Sequence, residues 1–587
     1  MSNANDRNPA PGPNQPQNQT QNTAPKLDVK ITKDEIVHCC TREYLDGLDP
    51  NNLPPLNELK HDLNVKTRNE IMVRNIGAAK NDQWRLPSDL LPYQIAMVIA
   101  HIEPVCCINC VGSGSDPVND LLGIYQESGQ SEGIYAVDDI AISSMIRKYC
   151  RSVTINQVKE IITILREIVP HKTRCSDPDL VAVNNGIFDY RTKKLMPFDR
   201  KHVFLSKSGV DYVPGAPSPV IHNADDGTDW DVDSWMADLS EDPEIVQLLW
   251  EILGAIIRPN VHWDRSVWFY STTGNNGKGT LCELMRQLCG PMSYASLSLS
   301  DFSKEFMLEP LVRVSAIITD ENNVGEFIDK AANLKAITTG DVIQINRKYK
   351  PAITYRFTGF MVQCLNEMPR VKDKSDSFYR RQVFIPFDKT FTGRERKYIK
   401  ADYLHRPEVL QYVLRKILES DYYALSEPMR CKQAMAEYKD FNDPVRQFAN
   451  EILPLCVWDL LPFTFLYDLY RAWMKRNSPA GGVQGRNTFI NDLLSIMPAL
   501  PEWECPDRRR SIRPQGKMDW PEPLISEYDL EMWSNPIKQP RGTPAYNTPS
   551  LHGTYSGLTR VTPRGPSGVL LPKNLISPAQ GLVPPGN

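Results

Sequence analysis

Apolar and polar positions divide the chain into three patterned blocks set between two unpatterned ends. In the first block, about 30–215, helical patterns mix with turns: apolar residues recur at helical spacing from Ile155 to Val169, which predicts a helix. VAVNNGIFDY reads as a strand, an Asn-Gly turn and a second strand. The second block, about 230–395, alternates short apolar strands with helices, the order that builds an α/β layer. Ser266–Tyr270, Val312–Thr319 and the run ending at Asn366 are its predicted strands. The third block, about 440–535, carries compact amphipathic helices at Phe465–Lys475 and Thr488–Met497. No repeat at a fixed period is evident.

Residues 1–25 are mostly Asn, Pro, Gln and Thr, too polar to repay the entropy of ordering, so 1–29 is expected to be a disordered tail. Past Trp533, Pro, Gly and Ser dominate and no Asp or Glu follows; the charges are Lys538, Arg541, Arg560, Arg564 and Lys573. We expect 534–587 to be a flexible tail, with a DNA-binding arm as the alternative.

Composition narrows the class without naming a function. With 587 residues, 41% of them hydrophobic, the chain can bury several cores. It has no apolar run long enough for a bilayer and no basic-then-apolar leader at Met1, so the expectation is a soluble, cytoplasmic protein without a membrane partner. Thirteen cysteines in such a chain read as free thiols. Cys107-x-x-Cys110 has no second pair at zinc-ribbon spacing and reads as structural. A net charge of −4 and a pI near 6.2 mean that nucleic-acid binding must rest on local basic patches.

The strongest chemistry lies in SVWFYSTTGNNGKGTLCELMRQL, an apolar strand, a Gly/Asn-rich turn, Lys278 and an amphipathic helix. That order suits a phosphate cradle. Gly274 and Gly277 let the backbone curl around Asn275 and Asn276 so that N–H groups point inward, the helix N-terminus adds its dipole, and Lys278 reaches the β and γ phosphates. Two departures stand out: Thr272 occupies the usual first glycine position, and Gly279 replaces the Ser or Thr that holds magnesium, leaving Thr280 as the nearest hydroxyl. Val312–Thr319 then delivers Asp320 and Glu321 to a strand end, where paired carboxylates fit a metal ligand (Asp320) and a base for the attacking water (Glu321). Asn366, at the next strand end, could position that water. Arg380 and Arg381, just before another strand, suit developing γ-phosphate charge.

Taken together, TGNNGKGT, IITDENN, LKAITTGDVIQINRKYKP, VQCLNEMP and FYRRQVFIPF resemble a superfamily 3 helicase, in the poxvirus-type and phage/plasmid primase-helicase branch of the AAA+ ATPases. The resemblance covers roughly 85–500. It implies an α/β fold: an AAA+ P-loop motor at 229–440, an N-terminal α+β collar-type domain at 30–228 and a C-terminal winged-helix domain at 441–533. It also implies ATP and Mg²⁺, a homo-oligomeric, hexameric ring with nucleotide between subunits, and 3′ to 5′ movement on single-stranded DNA. Lys278, Asp320, Glu321 and Asn366 would come from one protomer, and Arg380 or Arg381, with Arg381 favoured, would be the finger from its neighbour.

GDVIQINRKYKPAITYRF reads as a hairpin with a basic turn, Arg347, Lys348, Tyr349 and Lys350, whose cations are candidate DNA contacts; the resemblance points at Lys348 and Lys350 as lining the DNA channel, with a solvated turn as the alternative. In the third block, GRNTFINDLLSIMP would be a recognition helix with Arg486, and DRRRSIRPQGK a basic wing with Arg509 and Arg510. A protein-interaction role for that block stays open. The first block shows no acidic strand pair of the kind a two-metal primase needs, so primase activity is not assigned. The expected function is ATP-driven unwinding of forked DNA during replication of a phage or mobile element, with a primase or single-strand-binding protein as partner. The alternatives are an origin-binding initiator with little unwinding, or the helicase component of a primase-helicase.

Overall fold

The structure, a computed structural model, describes residues 31–112, 116–323, 327–328, 330–477, 483–505, 507, 511–533 and 551–562. The expected tail at 1–29 and the basic residues Arg508, Arg509 and Arg510 lie outside the described residues. No described helix is long and apolar enough to cross a membrane.

The chain forms two compact units. The first runs through Cys107 and takes in 122–124 and 138–170. Its helices are α1 (Lys33–Asp46), α2 (Leu56–Asn75), α3 (Pro92–Ile102), α4 (Asp139–Tyr149) and α5 (Ile155–Ile168). Helix α5 is the one predicted from periodicity. Thr154 and Gln157 close a capping box at its start, and Val158, Ile161 and Leu165 make its buried stripe. Gln94 is fully buried in this unit because its amide donates to the hydroxyls of Thr41 and Thr67, at 3.2 and 3.0 Å.

The second unit holds the remainder. The predicted hairpin appears as β1 (Leu180–Val183) and β2 (Gly186–Asp189), extended by β3 (Lys194–Met196). Val181, Val183, Phe188 and Tyr190 from this sheet share one core with Val267, Leu281 and Val362 of the central layer. The expected domain boundary at 228/229 is therefore not a packing boundary. Residues from 171 onward bury their apolar faces in the same core as the second block, which the chain's local pattern could not show.

The central layer is a five-stranded parallel sheet built from β4 (Ser266–Tyr270), β5 (Tyr294–Ala295), β6 (Ala316–Thr319), β9 (Phe360–Leu365) and β10 (Gln382–Pro386). Its spatial order is β5-β6-β9-β4-β10. Strands buried on both faces need near-continuous apolar runs, and all six residues of β9 and all five of β10 are buried. Helices α6 (Val232–Asp238) and α7 (Pro243–Ala255) precede β4, and α8 (Lys278–Cys289) follows it and buries Leu281, Leu284, Met285 and Leu288. Helices α9 (Ala332–Thr339), α10 (Lys397–Ala401), α11 (Pro407–Glu419) and α12 (Met429–Asn442) come later in the chain. Strand β6 is shorter than the predicted Val312–Thr319, because Glu309–Val312 forms a 3-10 turn around Pro310. Between β6 and β9 projects an antiparallel hairpin, β7 (Val342–Arg347) and β8 (Lys350–Arg356).

The third block packs as α13 (Pro444–Ile452), β11 (Leu460–Pro462), α14 (Phe463–Asn477), α15 (Arg486–Ser495) and β12 (Trp503–Glu504). Its middle strand corrects the expectation of a disordered tail through 534–587. Gly557–Arg560 is β13, lying antiparallel between β11 and β12. Leu558 is fully buried, and Arg560, read in the sequence as a tail charge, is 1% exposed at its side chain. Its guanidinium meets Asp459 at 3.1 Å and the Cys456 carbonyl at 2.8 Å, and lies over the Trp503 ring. A short apolar run in a Gly/Pro-rich stretch gives little local signal; partners a hundred residues upstream decide it. Arg560→Ala would strand the buried Asp459 carboxylate, and should cost this module about 3–5 kcal/mol in chemical denaturation.

Candidate nucleotide site

The turn between β4 and α8 sits where order along the sheet reverses, β9 lying on one side of β4 and β10 on the other. Open parallel sheets bind ligands at this kind of switch point, beyond the strands' C-terminal ends. Asn275 and Gly277 both adopt left-handed backbone, with φ of +53° and +88°. At Gly277 a Cβ would also lie 2.6 Å from Leu239, so glycine is required twice over. Asn276 is buried and ties the turn together, its amide donating to the Thr273 carbonyl and its oxygen accepting from the Lys278 N–H. No side chain caps α8, so the dipole end of the helix faces the turn uncovered.

Lys278 is buried, and its Nζ donates to Asn366 Oδ1 at 3.2 Å. Loss of hydration pushes its pKa below the ordinary lysine value, while nearby Asp320 opposes that shift. The sequence-predicted lysine and asparagine, 88 residues apart, thus meet.

Asp320 emerges from β6 against the first turn of α8. A Cβ on Gly279 would lie 3.0 and 3.2 Å from its two carboxylate oxygens and 3.4 Å from Lys400 Nζ. A side chain at this position would press on the Asp320 carboxylate, which would have to give by a few tenths of an ångström. Thr280 is half-buried one residue on, and Gly274 and Thr272 are exposed. Glu321 is exposed beside Asp320.

Several residues here carried no local signal in the sequence. Asn322 pins the acidic turn, donating to Gln363 Oε1 and the Cys364 carbonyl, both at 3.0 Å, and accepting from the Leu299 N–H at 2.8 Å. Two further cations face Asp320: Arg286 at 3.8 Å and Lys400 at 3.9 Å. Lys400 comes from a short helix, Lys397–Ala401, whose preceding loop covers the phosphate turn. Phe391 N–H donates to the Asn275 carbonyl at 2.7 Å, and the Asn275 amide donates to Glu395 at 2.9 Å.

Arg380 and Arg381 sit at the opposite edge of the sheet, where the Arg381 carbonyl accepts from the Ser266 N–H at 2.7 Å. Five residues of β4 separate that edge from the phosphate turn, about 16 Å at strand rise. Neither arginine is beside its own chain's Lys278. Arg381 folds back, donating to the carbonyl and hydroxyl of Ser377, while Arg380 is exposed.

The hairpin turn is tighter than the sequence suggested. Arg347 and Lys350 pair as strand residues, leaving Lys348 and Tyr349 at the tip. Arg347 reaches back to the Pro351 carbonyl at 2.9 Å. Tyr349 is 94% exposed with φ of +61°, and Lys348 stands 5.3 Å from its ring centre. The base is anchored by Tyr355, which is buried, accepts from Arg174 at 2.8 Å and donates to the Val312 carbonyl at 3.2 Å. Burial lifts its hydroxyl pKa to about 12, so it stays protonated and able to donate. In the third block, Arg486 and Asn487 are exposed at the start of α15.

Three family profiles match parts of the chain. "D5 N terminal like" covers 118–241, "Family of unknown function (DUF5906)" covers 269–381, and "Poxvirus D5 protein-like" covers 441–520. The phosphate turn thus lies between two D5-type segments. A protein of Frog virus 3 (isolate Goorha) named "Putative helicase 022R" is 25% identical over 248 residues. In these segments the chain is similar to the poxvirus D5-type branch of superfamily 3 helicases and primases. The frog virus alignment takes in 38% of this chain and a quarter of the relative's own length. Two apo structures of the NrS-1 C-terminal region are also similar: one at 13% identity, covering 69% of this chain and 86% of that one with a TM-score of 0.35, another at 11%, covering 73% and 97% with a TM-score of 0.37.

Proposed function

We propose that this chain hydrolyses ATP to move along single-stranded DNA and part a replication fork. One observation carries the reading: Lys278, Asn366 and Asp320, from three separate stretches, converge on the uncapped start of α8 at the C-terminal edge of a parallel sheet. The residues fit a magnesium nucleotide. A curled backbone and a buried ammonium offer donors to the β and γ phosphates, and Asp320 with Thr280 offers oxygen ligands to Mg²⁺. Mg²⁺, when bound, would neutralise charge developing on the transferred phosphoryl group. Glu321 would take a proton from the attacking water, and Asn366 would hold that water while also orienting Lys278.

The position of Arg380 and Arg381 favours a finger acting on a neighbour's nucleotide, which requires a ring or stack of like protomers. A hexamer moving 3′ to 5′ is the assembly the family resemblance implies. Arg380 is the better candidate, since Arg381 is committed to Ser377. We further propose that residues through about 170 serve as the collar-type portion. The order helix, strand, two helices and two strands in the third block supports a winged helix, with Arg486 near DNA.

Strand displacement on forked DNA, with and without ATP, tests the proposal; particle imaging tests the ring. Sequence-specific duplex binding without strand separation would favour an origin-binding initiator instead. Lys348→Ala with Lys350→Ala should lower unwinding roughly tenfold while sparing most DNA-independent ATP hydrolysis, because these cations meet phosphates rather than nucleotide. Unchanged unwinding would remove the hairpin from the translocation path.

A further inference from the structure

Near Lys278, two thiols that the proposed ATP hydrolysis does not use converge with the Asp320 carboxylate. Cys282, one turn into α8, and Cys364, near the end of β9, are both buried, with sulfurs 3.3 Å apart. Asp320 completes the group: one ligand atom from each of the three lies within 4.8 Å of the other two. Among the described residues no other three His, Cys, Asp or Glu side chains come together so closely.

We propose that Cys282, Cys364 and Asp320 form an inhibitory site for a thiophilic divalent cation of the zinc class. Sulfur ligands discriminate against magnesium and favour zinc or cadmium. Two sulfurs on a tetrahedral zinc ion lie about 3.8 Å apart, given a zinc–sulfur distance of about 2.3 Å, so the pair needs to open by only about half an ångström. Three protein ligands leave the fourth position to water. The Asp320 side chain is 31% exposed and supplies the way in. As each zinc–sulfur bond forms, its thiol gives a proton to solvent; two thiolates, one carboxylate and a divalent ion leave a net charge of −1. Lys278, Arg286 and Lys400 lie close enough to more than offset that charge. Inhibition follows from the nucleotide-site reading, on which Asp320 is the magnesium ligand; the metal site itself does not depend on that reading.

The test loads the full chain with one equivalent of Zn²⁺ and measures three quantities: affinity by chelator competition, the sulfur count around zinc by X-ray absorption, and binding of a fluorescent ATP analogue with Mg²⁺. Wild type should show two sulfurs and lose nucleotide binding until a chelator is added. Asp320→Asn, a near-isosteric change at a part-exposed position, should bind zinc at least about tenfold more weakly, and Cys364→Ser should reduce the sulfur count. A wild-type site without two sulfurs, or affinity unchanged in Asp320→Asn, overturns the proposal even if Cys364→Ser fails to fold. Two-sulfur zinc binding that leaves nucleotide binding intact would support the metal site and count against Asp320 as the magnesium ligand.

Discussion

Lys278→Ala is expected to reduce ATP turnover by roughly a hundredfold or more, the scale of losing one preorganised donor to developing charge, while the chain stays folded. The fold should tolerate the change because the ammonium is a buried charge whose hydrogen bond, among the described residues, is to a neutral amide, Asn366. Lost packing of the side-chain stem is offset by relief of that desolvation. Steady-state hydrolysis, nucleotide-analogue binding and a thermal melt, read together, check the claim. Retained turnover would end the phosphate-site assignment, and a collapsed melt would make Lys278 a structural residue. The pH dependence has a definite sign. Burial lowers the lysine's pKa, so its charge is lost at lower pH than an ordinary lysine's. Nucleotide binding should therefore weaken on the alkaline side before free lysine would titrate, and Lys278→Arg should remove that alkaline limb whatever affinity it retains.

Arg380→Ala carries the second large effect, a fall in hydrolysis of about 10³-fold or more if the guanidinium completes a neighbour's site. The argument is one of reach. The residue lies at the N-terminal edge of the sheet, a full strand away from its own Lys278, and its side chain is exposed. Loss of activity alone would not separate a neighbour's site from a structural role, so the decisive measurement is mixing. Arg380→Ala protomers supply intact phosphate turns and Lys278→Ala protomers supply intact fingers, so mixed rings should recover activity at the interfaces where the two good halves meet. Mixtures no better than their parents would argue against action in trans. The same experiment with Arg381→Ala should show weaker complementation, because that arginine's bonds to Ser377 lie within its own chain.

How far the sequence reached can be judged residue by residue. The strand, turn and helix around Lys278 were legible because each rests on local chemistry: a five-residue apolar run, a glycine where φ must be positive, and a helical stripe of leucines. Asp320, Asn366 and Arg380 were legible as strand-end polar residues in a recognisable order. Arg174, Asn322, Lys400 and the Cys282–Cys364 pair were not, since their roles come from partners 40 to 180 residues away. The basic turn was read one residue too wide at each side, because strand pairing, not composition, sets where a hairpin ends.

By itself the sequence determined which segments could form strands and helices, and which few residues are candidates for phosphate, metal or DNA chemistry. Apolar period and glycine conformation act over a handful of neighbours. Tertiary structure alone decided that β9 separates the acidic strand from the strand before the Gly/Asn turn, that Gly279 lies against the Asp320 carboxylate, that 171–228 share the central sheet's core, and that Arg560 is a buried anchor in a stretch resembling a tail. Each depends on burying surface or pairing charge between parts of the chain far apart in sequence, where the loop-closure entropy is met only by the complete core.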